Sequence, residues 1–464
     1  MRNICAVWLC AAVSTVVSGS LFAATVKDIF QAESENQFLL TVEAALARTQ
    51  AQQGIIPQWA ADEISKKAFT RYAPLEEIRA EQSRVNHRMV ALLNVWAKSM
   101  EDGAGEYVHF GTTTVDIFDT VLVLQLRQAA LMLISDMRDI ELSMIGLAKK
   151  HRNTVMIGRT LGQHALPITF GKKVSVWLGE NRRNIERLKE VLARLDQSGI
   201  LKGAVGSYLG LGDKAMATEA GFVAELGLKA PFLDDWHASR DVLAEYGLVL
   251  ALISKSYGHI GHELFVLQMT DIGETEEMLK STAVGSSTMP HKKNPKKPEA
   301  LIFASRTIPR LAEVIMDDMI SFFERDDTSR TANTLADISV ATEAMLAQAK
   351  SLISQIKVKP EVMRANIDRT RGLIMAQRVT FALAEDIGKT TANSLMHDVS
   401  KYAIDNDLTL REAIEKEPRV TKYLSSSDLD QLFDPLTYVG LAAQQVDQVI
   451  GQIMLQRSTD PSDH

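Results

Sequence analysis

At 464 residues, with 46% hydrophobic and 23% charged side chains, the chain has the composition of a folded globular protein rather than a disordered or fibrous one. A net charge of −7 excludes the global basic field that nucleic-acid binding requires, so no nucleic-acid partner is expected. Twelve prolines are few for this length, and Ala, Leu, Glu, Lys, Arg and Met are plentiful, which favours helix.

The first segment in chain order is a leader. Arg2 precedes an apolar stretch from Ile4 to Val17, followed by Ser18-Gly19-Ser20-Leu21-Phe22-Ala23-Ala24. This is the order of a secretory signal peptide, expected over residues 1–23 with cleavage after Ala23; an uncleaved membrane anchor is the competing reading. Both cysteines, Cys5 and Cys10, lie inside it. The mature chain would therefore hold no disulfide, thiol nucleophile or cysteine metal ligand. No later segment reads as apolar enough for long enough to span a bilayer. The expectation is a soluble periplasmic or secreted protein with no membrane partner once the leader is removed.

Helical periods dominate the rest of the chain. A helix over 33–53 ends at Gly54, and a long pattern covers 75–101. Asp116 to Lys150 reads as a long helix, and 168–196 as an amphipathic one. Between 241 and 271, Tyr246, Val249, Ile253, Tyr257, Ile260, Leu264 and Leu267 step by three or four residues along one face. Helices near 297–323 and 331–357 come next. No strand-rich segment is expected, so the fold class is all-α, a bundle of long helices. Beyond Pro360 the segments shorten, and the polar tail Ser458–His464 is expected to fray. The division predicted is a signal peptide (1–23), an N-terminal helical domain (24–114), a central long-helix bundle (115–359) and a C-terminal helical domain (360–464).

Three polar loops interrupt the helices. His109-Phe110-Gly111-Thr112-Thr113-Thr114-Val115-Asp116 opens a long helix, where its hydroxyls and free N–H groups either bind a carboxylate or simply cap the helix. Gly158 to Gly171 carries His164, which is either structural or catalytic. Gly285-Ser286-Ser287-Thr288-Met289-Pro290-His291-Lys292-Lys293-Asn294-Pro295 places hydroxyls, backbone donors and ammonium groups on one short cationic stretch suited to an anionic ligand. Metal catalysis is not expected, because the mature chain has neither cysteine ligands nor a histidine pair of the HExxH sort. No cofactor is expected either.

The third loop resembles the signature GSSxMPxKxNP of the fumarase/aspartase superfamily, and the other two loops are similar to its first two blocks. Val42 to Arg48, Gly54 to Pro57 and Trp236 to Asp241 are similar to the branch of adenylosuccinate lyases and carboxymuconate cycloisomerases. The resemblance implies a homotetramer around twenty long helices, with each active site drawn from three subunits and apolar faces such as that of 241–271 buried between subunits. It implies Ser286 as the base that removes a proton beside a carboxylate. Lys292 and Asn294 would bind the substrate carboxylate. Thr112, Thr113, Thr160, Gln163, Ser207 and Arg325 would make further substrate contacts.

Leu161 stands where many of these lyases carry the histidine that protonates the leaving group, and leucine cannot donate a proton. His164 or His87 is the expected substitute, unless the leaving group needs no strong acid. The functions implied are β-elimination, or the reverse addition, on a small succinyl-type di- or tricarboxylate with release of fumarate. A carboxymuconate-type cycloisomerase, and a catalytically retired binding or structural homologue, are the alternatives.

Overall fold

The structure is a computed structural model that describes residues 23–234, 237–278, 288–289, 291–319, 322–325 and 331–461. In chain order its helices and strands begin with α1 (Val26–Ile29), α2 (Ala32–Gln52), α3 (Gln58–Lys66), α4 (Leu75–Val85), α5 (Arg88–Ala97) and α6 (Thr114–Lys150). A hairpin of β1 (Val155–Thr160) and β2 (Gln163–Thr169) leads to α7 (Phe170–Leu195), α8 (Ala215–Glu225) and α9 (Asp241–Leu267). Then come β3 (Thr275–Glu276), α10 (Lys296–Asp317), α11 (Thr331–Gln355), β4 (Lys357–Val358) and α12 (Pro360–Asp368). The remaining helices are α13 (Ala376–Ile387), α14 (Lys389–Asp405), α15 (Leu410–Glu415), α16 (Pro418–Thr421), α17 (Ser426–Leu432) and α18 (Ala442–Arg457). Helix makes up 69% of the described residues, so the class is all-α, built on long helices.

Local chemistry sets the helix ends. After α2, Gly54 takes φ +64°, its N–H bonds Ala51 O and the Ile55 N–H bonds Gln50 O. That is the Schellman pattern, in which a glycine without Cβ strain returns two orphan carbonyls to hydrogen bonding. The pattern predicted as one helix over 75–101 is two helices instead. Asn86 ends α4 at φ +53°, and His87 opens α5 with its Nδ1 accepting the Val90 N–H at 3.2 Å. Side-chain periodicity alone does not reveal a left-handed residue followed by a cap.

The β1–β2 hairpin is a short departure from helix that the sequence reading did not place. Thr160 pairs with Gln163, and the two residues between them, Leu161 and Gly162, have φ of +51° and +77°. Two positive φ values are what a type I′ turn requires of its central pair. The β-rich run Val155-Met156-Ile157 was the available signal.

The chain divides into two compact units. The first comprises residues 1–135, 186–252 and 307–344, and the second 136–185, 253–306 and 345–464. In the first, the Tyr246 hydroxyl and Ser339 Oγ lie 2.8 Å apart, and Arg194 pairs with Glu245. In the second, α13 to α17 gather around Leu383, Met396, Leu410, Ile414, Val420 and Leu429.

The second unit also holds a buried ionic network. Arg182 pairs with Glu141 and with Asp460, Arg457 pairs with Glu141 at 2.7 Å, and Arg138 pairs with Asp460 at 3.2 Å. The Glu141 and Asp460 carboxylates are wholly buried. The tail is therefore pinned at Asp460 rather than frayed throughout.

Two further expectations change. The seven residues of the 241–271 face are each at most 7% exposed within a single chain, so it is not left over for other subunits. The large apolar side chains that α9 does expose are Leu248, Leu252 and Phe265. In addition, α6 is long and apolar enough to cross a membrane by length and composition, contrary to the sequence reading. However, 67% of its most apolar window is buried in the protein. A buried core helix passes the same test, and Asp116, Asp119 and Glu141 on this one are ion-paired.

Candidate active site

In the first unit, two glycine-bearing loops are backed against each other. A Cβ on Gly210 would lie 2.3 Å from Gly111 O, and one on Gly111 would lie 2.4 Å from a Leu211 methyl carbon. At Gly210 the clash is with backbone, so no side chain fits there without parting the loops, whereas at Gly111 the Leu211 side chain would have to move first. This contact joins the segment bearing Thr112 and Thr113 to the one bearing Ser207.

Each loop is also anchored from behind. His109 sits at φ +58°, with its Nδ1 2.6 Å from Glu43 Oε1 and its N–H donating to Glu43 Oε2. Burial works against a charged imidazole there, but the Glu43 hydrogen bond and charge outweigh it and raise the His109 pKa. Gln50 Nε2 donates to Phe110 O at 2.6 Å. On the other loop, Tyr208 at φ +60° donates to Glu219 and accepts from the buried Lys202 ammonium, both at 2.6 Å. Ser207, its neighbour, is exposed.

The start of α6 is organised by Asp116. Its Oδ2 accepts from Thr112 Oγ1 at 3.0 Å and from the Thr113 N–H at 3.1 Å. A third-position carboxylate reaching back in this way is half of a capping box. Asp116 also accepts from the Lys202 and Gly203 N–H groups. Thr112, Thr113 and Ser207 are thus brought onto one interlocked pair of loops. His87 is exposed as the cap of α5, and among the described residues no hydrogen bond or ion pair links it to these loops. Arg325 lies at the end of a short described stretch, Phe322–Arg325.

The second unit carries the other candidates. Arg159 makes a bidentate pair with the buried Glu274 at 2.6 and 3.0 Å, and Asn366 donates to the same carboxylate at 2.8 Å. Beyond this anchor, Thr160 and Gln163 form the exposed last rung of the hairpin, and Leu161 is fully exposed at the tip. His164 lines a cleft of about 390 Å³ with Leu166, Thr370, Leu373, Ile374 and Gln377. Its pKa is lowered by burial and by the Arg159 charge, so the ring is neutral at pH 7 and a poor substitute for a strong acid.

Ser286 lies outside the described residues, as do 279–287 as a whole and Pro290. The flanks of that loop are described and closely paired. Glu276 holds Lys293 at 2.5 Å and Lys359 at 2.8 Å, and hydrogen bonds from these two lysines bring its pKa down to about 2. Glu277 accepts from the Lys297 N–H and pairs with the Lys297 ammonium, while Lys296 pairs with Glu299. Lys292 is exposed and has no acidic partner among the described residues. Asn294 is half-buried, its carbonyl accepting the Lys296 N–H.

Sequence reasoning did not single out Glu43, Asp116, Lys202, Glu219, His237, Glu274 or Glu276. The usable signal was charge placed inside otherwise apolar helical or loop runs, since such charges are buried only when paired.

A lyase family profile matches residues 22–309, and a profile described as adenylosuccinate lyase C-terminus matches 372–449. The chain is 36% identical to an adenylosuccinate lyase of Methanocaldococcus jannaschii over 91% of this chain and 92% of that one. It is 37% identical to an N-acetyl-S-(2-succino)cysteine lyase of Dickeya dadantii over 88% and 90%. It superposes on the crystal structure of a 3-carboxy-cis,cis-muconate lactonizing enzyme from Pseudomonas putida with a TM-score of 0.84, at 32% identity over 93% and 97% of the two chains. The chain belongs to the lyase family of the fumarase/aspartase superfamily. Within it, the chain falls in the branch of adenylosuccinate lyases and carboxymuconate cycloisomerases.

Proposed function

We propose that the protein is an exported lyase that eliminates a substituent from a succinyl-type di- or tricarboxylate and releases fumarate, with Ser286 as the base. The observation that carries this reading is the pairing around the signature loop. Of Lys292, Lys293, Lys296 and Lys297, three have carboxylate partners and Lys292 has none among the described residues. An exposed cation left without a protein counter-ion is suited to a substrate carboxylate. Relatives named as adenylosuccinate lyase and N-acetyl-S-(2-succino)cysteine lyase support the same substrate class.

The chemistry rests on that placement. The base takes the proton from the carbon beside one carboxylate, and the electron pair moves into the new C=C bond. The leaving group departs from the adjacent carbon with the other pair. Fixed cations and N–H donors stabilise the charge that builds on the carboxylate.

Leu161 narrows the leaving group. An amine must be protonated to depart; leucine cannot do this, a neutral His164 is not a strong acid, and His87 is engaged as the cap of α5. A thiol, with an ordinary pKa near about 8.5, departs as its thiolate. The favoured substrate class is therefore a succinyl thioether, of the kind that the name of the Dickeya relative specifies. The same observation favours a second reading, a lactonising cycloisomerase, in which a carboxylate of the same molecule adds to the C=C bond to form the lactone and leaves as the carboxylate in the reverse direction, so that no acid is needed at the leaving group.

The test incubates purified protein with an S-succinyl thiol, an N-succinyl amine and carboxymuconate, following fumarate absorbance and free thiol. Equimolar fumarate and thiol is the expected result, whereas a single lactone product establishes the cycloisomerase. Faster turnover of the N-succinyl amine would sink the leaving-group argument. Fumarate binding without turnover of any of the three would identify a retired homologue.

Export and a homotetramer belong to the same reading. Phe303 and Val314 on α10 and Leu248 and Leu252 on α9 stay exposed, as apolar surface for other copies would be. Cleavage after Ala23 would leave the Thr25 capping box of α1 intact. Light scattering of the secreted protein is expected to give four chains, and its intact mass a chain that starts at Ala24. A monomer, or a retained leader, would overturn the corresponding half.

A further inference from the structure

In the first unit, three segments far apart in sequence converge on one carboxylate. Asp116 Oδ2 holds Thr112 Oγ1, Thr113 N and Gly203 N, and its Oδ1 accepts from Lys202 N and faces His237 Nε2 at 3.2 Å. On the far side of the ring, His237 Nδ1 lies 2.6 Å from Asp119 Oδ2, which also pairs with Arg240 at 3.2 Å. The His237 and Asp116 side chains are almost wholly buried.

With a carboxylate oxygen at each ring nitrogen, only the imidazolium can donate at both ends. Burial opposes that charge, but the two aspartates outweigh it and lift the His237 pKa to about 9. Burial likewise opposes the Asp119 charge, and Arg240 and His237 outweigh it, so its pKa lies below the usual carboxylate value. The formal charges of Asp116, Asp119, His237 and Arg240 then cancel. A neutral ring at position 237 would leave one uncompensated negative charge behind Thr112 and Thr113.

We propose that His237 is a positioning residue: as a buried cation between Asp116 and Asp119 it fixes the loops bearing Thr112, Thr113 and Ser207 and keeps that surface receptive to an anionic ligand. The identity of the ligand rests on the lyase function proposed for the protein; the bracing does not. His237 acts through Asp116, whose acceptor bonds set the backbone of both loops at once. A glutamine in its place supplies one neutral amide, which cannot bridge the two carboxylates or cancel their charge.

The experiment compares the full-length protein with His237→Gln in two measurements. Hydrogen exchange is read over 109–116 and 200–212, where the Thr113, Lys202 and Gly203 amides are held by Asp116. Equilibrium binding of fumarate is read at pH 7. The expected result is faster exchange in both loops together, unchanged exchange over 376–432, and fumarate binding weaker by about tenfold, as for partners that orient a binding shell. Unchanged exchange in either loop overturns the proposal. Faster exchange with unaltered fumarate affinity also overturns it, because that is the signature of a purely structural knot.

Asp119→Asn covers the case in which His237→Gln does not fold. It keeps an acceptor at Nδ1, removes the charge and is expected to move both readouts the same way by less. If the unmodified protein binds no fumarate, the functional reading fails, while hydrogen exchange still decides the bracing.

Discussion

Replacing Ser286 with alanine is expected to lower kcat by about 10²- to 10⁴-fold, the range typically supplied by a general base, with little change in KM. The hydroxyl is proposed to act only on the proton in flight, so its loss removes transition-state stabilisation rather than ground-state binding. The flanks of the loop do not depend on it, because Glu276 with Lys293 and Glu277 with Lys297 hold them together. Lys292→Ala should behave differently, raising KM most, because an exposed ammonium serves substrate and transition state alike. Steady-state kinetics on the succinyl substrate separate the two variants. A Ser286→Ala enzyme retaining more than about a tenth of its kcat would place the base elsewhere.

The second large effect concerns stability. Glu141→Leu is expected to destabilise the protein by about 3–5 kcal/mol, the usual cost of removing one partner from a buried ion pair. Arg182 loses its bond to Glu141 and Arg457 loses a carboxylate 2.7 Å away, while the aliphatic replacement leaves both cations in a dry environment. Denaturant unfolding, or the thermal midpoint in a scan at fixed protein concentration, reads the change. A loss below about 1 kcal/mol would mean that water reaches the network and the pairs behave as exposed ones do. Replacing Glu141 and both arginines together with apolar residues should cost less than Glu141→Leu alone, since no charge is then stranded.

What could be read from the sequence was what repeats along a helix. The seven-residue face of α9 was visible because apolar side chains return every three or four positions, and all seven are buried. The end of α2 was visible because Gly54 is the residue a left-handed helix terminus favours. The three polar loops stood out because hydroxyls, glycines and lysines interrupt that period. Features set by single backbone dihedrals were lost: Asn86 divides a continuous apolar pattern, and Leu161 turns a hairpin at a φ that leucine seldom takes. Pairings between residues far apart were lost as well. Nothing near Asp116 announces His237, and nothing near Glu274 announces Arg159, because a buried charge finds its partner through the tertiary fold. The wholly buried face of α9 shows the limit of pattern reading, since periodicity marks a buried surface without naming what covers it.

The ionic network has a consequence for the order in which the protein is built. Arg182 and Asp460 are 278 positions apart, so most of the second unit must be synthesised before the second carboxylate reaches its arginines. Until then Arg182 has only Glu141 opposite it and Arg138 lacks its Asp460 partner, and a core with a surplus cation cannot close dry. The growing chain is therefore expected to stay open and hydrated there until Asp460, beyond α18, arrives as the latch that completes the network. A ribosome-bound chain stopped short of that residue should remain protease-sensitive in its second unit long after its helices have formed.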